Sequence, residues 1–316
     1  MSSPLKIDVH LHVYPSAQEG QHWKSDYEIW EYGEHSGVRF SADAGTLPET
    51  LAALERADFS HGVALNLFSA DMLRQDYAST LPHAADAPER AAALAEFDAA
   101  LPDRYVAHNQ WLMSRLADVP AMSGFIAVDP SVLSPKRNVA HVREMAERGA
   151  RGLKLHPVLQ KFEVNDHRMH SVYQECSDLR LAVLSHTGPS SDGKPFAEVS
   201  AFVPLLQAFP RLTVVLAHLG GGKWQDTLAV AEAFPNVAFD LCEIIEWSGA
   251  PKAPNAEQLA RLIRQIGPGR VLLGSDYPWY EPARTAALVE SLPILSPAEK
   301  NAIMGENAAR ILGLPV

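Results

Sequence analysis

The sequence predicts a single α/β domain, residues 1–316, folded as a (β/α)8 TIM barrel. A long insertion follows the first strand, and an extra helical segment precedes the third. Two observations carry that prediction. Short runs rich in Val, Ile, Leu and Ala recur eight times, and longer amphipathic stretches separate them. Apolar runs of this kind suit strands covered on both faces, as in a parallel sheet wrapped by helices. Strand followed by helix, about eight times over this length, is the barrel pattern. The competing fold, an open doubly wound sheet, ordinarily carries a glycine-rich phosphate turn after its first strand. No such turn follows LKIDVHLHV here.

The strand candidates are LKIDVHLHV (5–13), HGVALNLF (61–68), SGFIAVDP (123–130), ARGLKLHP (150–157), LAVLSHTG (181–188), LTVVLAHLG (212–220), VAFDLCE (237–243) and RVLLGSDYP (270–278). Helical patterns lie between them: TLPETLAALERAD, KRNVAHVREMAERGA, DHRMHSVYQECSDL, FAEVSAFVPLLQAF, KWQDTLAVAEAF and NAEQLARLIRQI. Two connections are long. Tyr14 to Gly45 is rich in aromatic residues (Trp23, Tyr27, Trp30, Tyr32, Phe40), and Ser69 to Met122 has room for an extra helix from Ala87 to Leu101. Long loops in a compact domain tend to be lids or pocket walls.

With 47% hydrophobic and 21% charged residues, the chain can bury a large core, so an ordinary globular protein is expected. A formal net charge of -11 argues against general attraction to nucleic acid or anionic membranes and leaves a small molecule as the expected partner. Whether the chain forms a homo-oligomer is open. Cys176 and Cys242 make no disulfide framework, no apolar run approaches the length of a membrane span, and the N-terminus lacks the pattern of a signal peptide. The expected location is the cytoplasm.

His10 and His12, two apart on the first strand, share a face by the period-2 rule. His186, His218 and Asp276 each lie at the C-terminal limit of a later strand. In a barrel those limits ring one mouth, where active sites of this fold sit. Converging buried imidazoles are costly without a metal or a hydrogen-bond network, and imidazole with carboxylate suits zinc, with manganese, iron or cobalt as alternatives. Asp129, Asp240 and Glu243 near strand ends are candidates to touch substrate or to orient a histidine, beside a structural reading. His156 reads as a loop histidine or a support for the ligands. Cys242 is a candidate pocket residue without an activating pair. His61, His83, His108, His141, His167 and His170 read as surface or structural.

Five motifs, D-V-H-L-H (8–12), G-L-K-L-H-P (152–157), S-H-T-G (185–188), A-H-L-G-G (217–221) and G-S-D-Y-P (274–278), span nearly the whole chain. Together they resemble the amidohydrolase superfamily, in particular its amidohydrolase-related, aminocarboxymuconate-semialdehyde decarboxylase-like branch. The resemblance implies that His10, His12, His186 and Asp276 hold one divalent metal, with zinc expected, and that Asp276 and His218 are catalytic. For Lys154 it leaves three readings: a carbamylated bridge between two metals, a partner for a substrate carboxylate or Asp276, or a structural lysine.

The expected activity is hydrolysis of a small lactone, amide or ester bearing a carboxylate. Asp276 would move the proton, His218 would hydrogen-bond the carbonyl or nucleophile, and Lys154, Lys24 and Arg39 would be the candidate substrate cations. The alternative is non-oxidative decarboxylation of an unsaturated or aromatic acid. A third reading is a barrel that binds without catalysis.

Overall fold

Eight parallel strands pair in chain order: β1 (Ile7–Leu11), β2 (His61–Leu65), β3 (Met122–Ala127), β4 (Gly152–Leu155), β5 (Ala182–Ser185), β6 (Val214–Leu216), β7 (Ala238–Asp240) and β8 (Val271–Leu272). The computed structural model describes residues 4–24, 27–82 and 86–316. His83 lies outside the described residues. The ring closes between its first and last strands. The Val9 N–H donates to the Leu273 carbonyl at 3.0 Å, the Asp276 N–H to that of His10 at 2.9 Å, and the His12 N–H to that of Tyr277 at 2.7 Å. This is the (β/α)8 TIM barrel that the apolar runs predict, seven strands falling inside their runs and β3 starting one residue ahead of its own, at Met122.

Every strand is buried along its length because helices cover the outside and side chains fill the inside. Val9, Val63, Phe125, Leu184, Val215 and Leu272 pack together in the interior, and Ala308, Leu312 and Leu314 from the C-terminal segment join them. The outer layer comprises α3 (Leu47–Arg56), α6 (Pro135–Glu147), α8 (His170–Leu179), α9 (Val203–Ala208), α10 (Thr227–Ala233), α11 (Ala256–Ile266) and α12 (Pro282–Ser291), followed by α13 (Pro297–Asn301) and α14 (Asn307–Leu312). Local sequence sets the helix starts: capping boxes Thr46–Glu49 and Asn255–Gln258 open α3 and α11.

The first insertion holds α1 (Ala17–Trp23) and α2 (Tyr27–Tyr32); the second holds α4 (Ala70–Thr80) and α5 (Ala87–Leu116), and the short α7 (Pro157–Gln160) follows β4. The sequence reading ends the extra helix at Leu101, but α5 runs on through Pro102. An interior proline sacrifices one backbone hydrogen bond. Here the apolar row Phe97, Leu101, Tyr105, Leu112 and Leu116 is buried continuously across it, so tertiary packing carries the helix past the break. Among the described residues no helix is long and apolar enough to cross a membrane.

One irregularity positions the site. Between the pairs Asp8–Gly62 and Leu11–Ala64, β1 spends three steps against two on β2, which is a β-bulge. Val9 therefore packs in the barrel interior while His10 and His12 also face the mouth. Gly274, in the segment after β8, leaves the room this needs, since a Cβ there would lie 2.7 Å from that of His10.

Candidate active site

A cavity of about 440 Å³ opens at the C-terminal ends of the strands, and His10, His12, Lys154, His156, His186, His218, Glu243 and Asp276 line it. Trp23, Tyr27 and Glu28 from the first insertion and Trp279 after β8 also line it, with apolar Leu67, Met72, Val158 and Leu159. The backbone aims several of these groups. His218, Glu243 and Asp276, each just beyond a strand end, have φ of 61°, 63° and 61°. Non-glycine residues rarely adopt this left-handed conformation, and it is concentrated where function demands it. At His218 it continues through Leu219, Gly220 and Gly221, all with positive φ.

The hydrogen bonds decide which nitrogen each ring presents. His10 Nδ1 lies 2.9 Å from Asp240 Oδ2, and His12 Nδ1 lies 3.1 Å from the Leu65 carbonyl. Both partners accept, so both Nδ1 atoms carry the proton and each Nε2 presents a lone pair. Asp276 Oδ1 is 3.4 Å from His10 Nε2 and 3.3 Å from His12 Nε2. Three lone-pair donors thus face one another, which is repulsive unless a cation or proton lies among them. His186 Nε2 is buried without a hydrogen bond among the described residues. Burial holds the imidazoles of His10 and His186 well below their usual pKa, hence neutral. These features fit a divalent metal held by His10, His12 and Asp276, whose ligand atoms lie within 4.8 Å of one another, with His186 on the cavity wall outside that set; ligand imidazoles must be neutral and are commonly oriented by a carboxylate or carbonyl on the other nitrogen.

Asp276 is pushed up by burial, but the surrounding His10 and His12 outweigh that and hold it well below the usual carboxylate range. His218 Nδ1 lies 3.2 Å from the Cys242 carbonyl, so it donates there and leaves Nε2 as an acceptor. The backbone N–H of His218 donates to Asp240 Oδ1 at 2.8 Å. One carboxylate therefore orients two histidines, the orienting role considered for Asp240. Cys242 Sγ sits 2.9 Å from His10 Nδ1 and 3.0 Å from His218 Nδ1, and burial pushes its thiol well up, so it is not an activated nucleophile.

Lys154 is 1% exposed, and its Nζ donates to His10 Nε2 at 2.8 Å. Its burial lowers its pKa. Lys24 and Arg39, expected as substrate cations, are corrected by their geometry: neither lines the cavity. Lys24 Nζ donates to the Ser41 and Asp43 carbonyls, and Arg39 donates to those of Ser36 and Val38, so both tie down the first insertion.

Asp129 holds a loop by accepting from the Ala70 N–H and from Ser131. His61 opens β2 and meets Ser123 Oγ, His108 meets the Leu67 carbonyl, His141 meets Asn109, and His170 meets Asn165, all structural; His167 is exposed. His156 stacks on His186 with centroids 3.9 Å apart, which places it in the cavity wall.

Sequence reasoning missed Glu28 and Glu31 on α2. The Glu31 carboxylate is buried among Gly188, Gly221 and Gly222, and its Oε1 accepts from the Gly222 N–H at 2.6 Å. A Cβ at Gly221 would lie 2.1 Å from that oxygen. The signal in sequence was the triple glycine after His218, read only as a motif. Tyr27 Oη adds a second tie from α2, to the Pro189 carbonyl at 2.6 Å.

Fold and site together give a (β/α)8 barrel with a histidine–aspartate cluster at its mouth suited to a divalent cation. The amidohydrolase family model matches residues 7–314, and the chain belongs to that family. No curated protein matches the sequence. Among solved structures it is similar to an uncharacterized TIM-barrel protein from Bordetella bronchiseptica (19% identity, 98% of each chain, TM-score 0.68). It is also similar to the 5-carboxyvanillate decarboxylase LigW from Sphingomonas paucimobilis (17% identity, 99% of this chain and 100% of that one, TM-score 0.66). A third is a protein named as a probable 2-pyrone-4,6-dicarboxylic acid hydrolase from Acinetobacter baumannii (15% identity, 98% and 99%, TM-score 0.58).

Proposed function

We propose that the chain is a metal-dependent hydrolase of a small lactone, amide or ester bearing a carboxylate. The observation that carries this reading is the convergence of the His10 and His12 Nε2 lone pairs on Asp276 Oδ1 at the cavity floor. A divalent cation bound there, most simply one Zn2+, supplies Lewis acidity toward a carbonyl oxygen and acidifies water. Asp276, ionised and at the edge of the cluster, takes the proton of the nucleophile and returns it to the leaving atom. His218, with its proton committed to the Cys242 carbonyl, offers Nε2 as a second acceptor for the nucleophile. Between the two expected targets of His218, this tautomer favours the nucleophile over the carbonyl. The aromatic wall of Trp23, Tyr27 and Trp279 limits water at the reacting carbonyl.

The expected carboxylate on the substrate has Lys154 as its candidate partner, since among the described residues no arginine lines the cavity. The bond from Lys154 Nζ to His10 Nε2 uses the lone pair that a metal would take, so in the loaded site Lys154 turns to Asp276 or a substrate carboxylate, and we keep it out of a bridge between two metals. The unpaired buried Cys176 and Cys242 support a reducing, cytoplasmic setting.

Decarboxylation is the second reading, favoured by whole-chain likeness to a structure named as a decarboxylase. Zinc-loaded protein incubated with small lactones, aryl esters and anilides in water labelled with heavy oxygen separates the two. Hydrolysis puts the label into the product acid. Release of CO2 from aromatic acids, with no labelled acid from any ester or amide, would overturn the hydrolase reading.

A further inference from the structure

We propose that His156 binds the substrate: its Nε2–H donates to the substrate carboxylate beside Lys154, a role that rests on the reading of a carboxylate-bearing substrate. His156 follows Lys154 by two residues at the end of β4, so period-2 geometry gives both side chains one face, and both line the cavity. Its place is fixed from three directions. The backbone N–H of His156 donates to Gln160 Oε1 at 2.9 Å, and Gln160 Nε2 donates in turn to the Phe68 and Val128 carbonyls, both at 2.8 Å, just beyond β2 and β3. The ring stacks on His186 with centroids 3.9 Å and planes 11° apart. From the first turn of α7, the Leu159 N–H donates to Nδ1 at 3.4 Å.

These contacts also fix the tautomer. Two imidazolium rings at stacking distance would repel, and burial together with the neighbouring Lys154 charge holds His156 well below its usual pKa, so the ring is neutral. A neutral imidazole has one donor nitrogen and one acceptor. Nδ1 accepts from Leu159, so the proton sits on Nε2, which among the described residues makes no hydrogen bond. His218 presents the opposite tautomer, its proton on Nδ1 and its Nε2 an acceptor. The cavity therefore holds one histidine suited to a nucleophile and one suited to a substrate oxygen. Lys154 supplies charge on a flexible stem, whereas His156 supplies a fixed direction, and a donor already held in place loses little freedom on binding. A carboxylate, with two oxygens, can accept from both.

The test uses the zinc-loaded full chain with benzohydroxamic acid, whose hydroxamate chelates divalent metals, and its 3-carboxy and 4-carboxy derivatives, which carry the acid at two distances. Dissociation constants come from titration calorimetry. At least one carboxy compound is expected to bind the wild type about 10-fold tighter than the parent. His156→Phe keeps a ring against His186 and removes the N–H, so it should cut that advantage to about 2-fold or less while the parent binds as before. His156→Gln, whose side-chain amide restores an N–H donor, should recover part of it. A further readout needs no variant: in the wild type labelled with nitrogen-15 histidine, His156 should show a protonated Nε2 and a bare Nδ1, and the Nε2 signal should move with the carboxy compound and not with the parent. A proton on Nδ1, or a carboxylate advantage intact in His156→Phe, overturns the inference and leaves the carboxylate reading standing. No advantage in the wild type removes the substrate carboxylate, and the inference with it. If none of the three compounds binds, the metal-centred reading falls and takes the inference too.

Discussion

At the scale of single residues, the site divides labour between atoms of one ring. His10 and His12 each spend Nδ1 on a fixed acceptor and keep Nε2 for the cluster, which makes them donors to a cation rather than movers of protons. His12→Ala is therefore expected to lose most bound metal and activity together, as read by plasma spectrometry beside a turnover assay. Unchanged stoichiometry would sink the assignment. Asp276 and His218 should separate in the same pair of measurements. Asp276→Asn keeps the shape but removes the base, so turnover should fall roughly 100-fold or more, with metal partly retained. His218→Asn should leave metal nearly complete and still cut turnover strongly, and a variant that loses all metal would refute that division. Lys154→Met should retain about one metal per chain, because the lysine touches His10 and not a second cation; two metals per wild-type chain would contradict this. The strand-end histidines and Asp276 were legible in sequence because period-2 geometry and strand ends are local properties. Glu243, Glu28 and Glu31 were not legible as a group, since left-handed turns and the docking of α2 bring them together.

At the scale of elements, α2 is a piece of the cavity wall whose seat is made of glycine. Glu31 reaches into the loops that follow His186 and His218, and three positions there have no side chain to obstruct it. Gly221→Ala should disrupt the seat twice over, through the 2.1 Å approach to Glu31 Oε1 and through a φ of 58° that disfavours any Cβ. Burial pushes Glu31 up to about 8, against the Gly222 N–H that pulls it down. Because its folded value exceeds the ordinary 4.5, the folded state binds the proton more tightly. Its contribution to stability is therefore complete below about pH 4.5 and is lost progressively as the pH rises through about 8. Glu31→Gln should flatten the decline of melting temperature over that window, and amide exchange across Tyr27–Tyr32 should become less dependent on pH. A decline identical to that of the wild type would show that other groups cause it. The same element shows where sequence reading fails: aromatic residues of the insertion were visible, but their seat depended on glycines up to 191 residues away. α5 failed for a related reason, since Pro102 is a local stop signal that distant packing overrides.

At the scale of the whole molecule, eight apolar runs were enough to specify the ring because each strand is buried on both sides and needs no alternation. What the runs could not show is that the cluster straddles the ring's closure. His10 and His12 come from β1, and Asp276 lies beyond β8, joined to His10 by a backbone hydrogen bond of 2.9 Å. A cation that binds these groups only in the folded arrangement stabilises it by mass action. Removing metal with a chelator should therefore lower the melting temperature, and amide exchange should rise first at Val9, His12 and Asp276; an unchanged profile at those amides would exclude the coupling. The same placement orders events during synthesis. The two histidines of β1 are made first, and the carboxylate they share follows 264 residues after His12. A nascent chain stalled before Asp276 emerges has the imidazoles without the oxygen that completes their set, so acquisition of metal in its mature coordination is a late event in the life of the polypeptide.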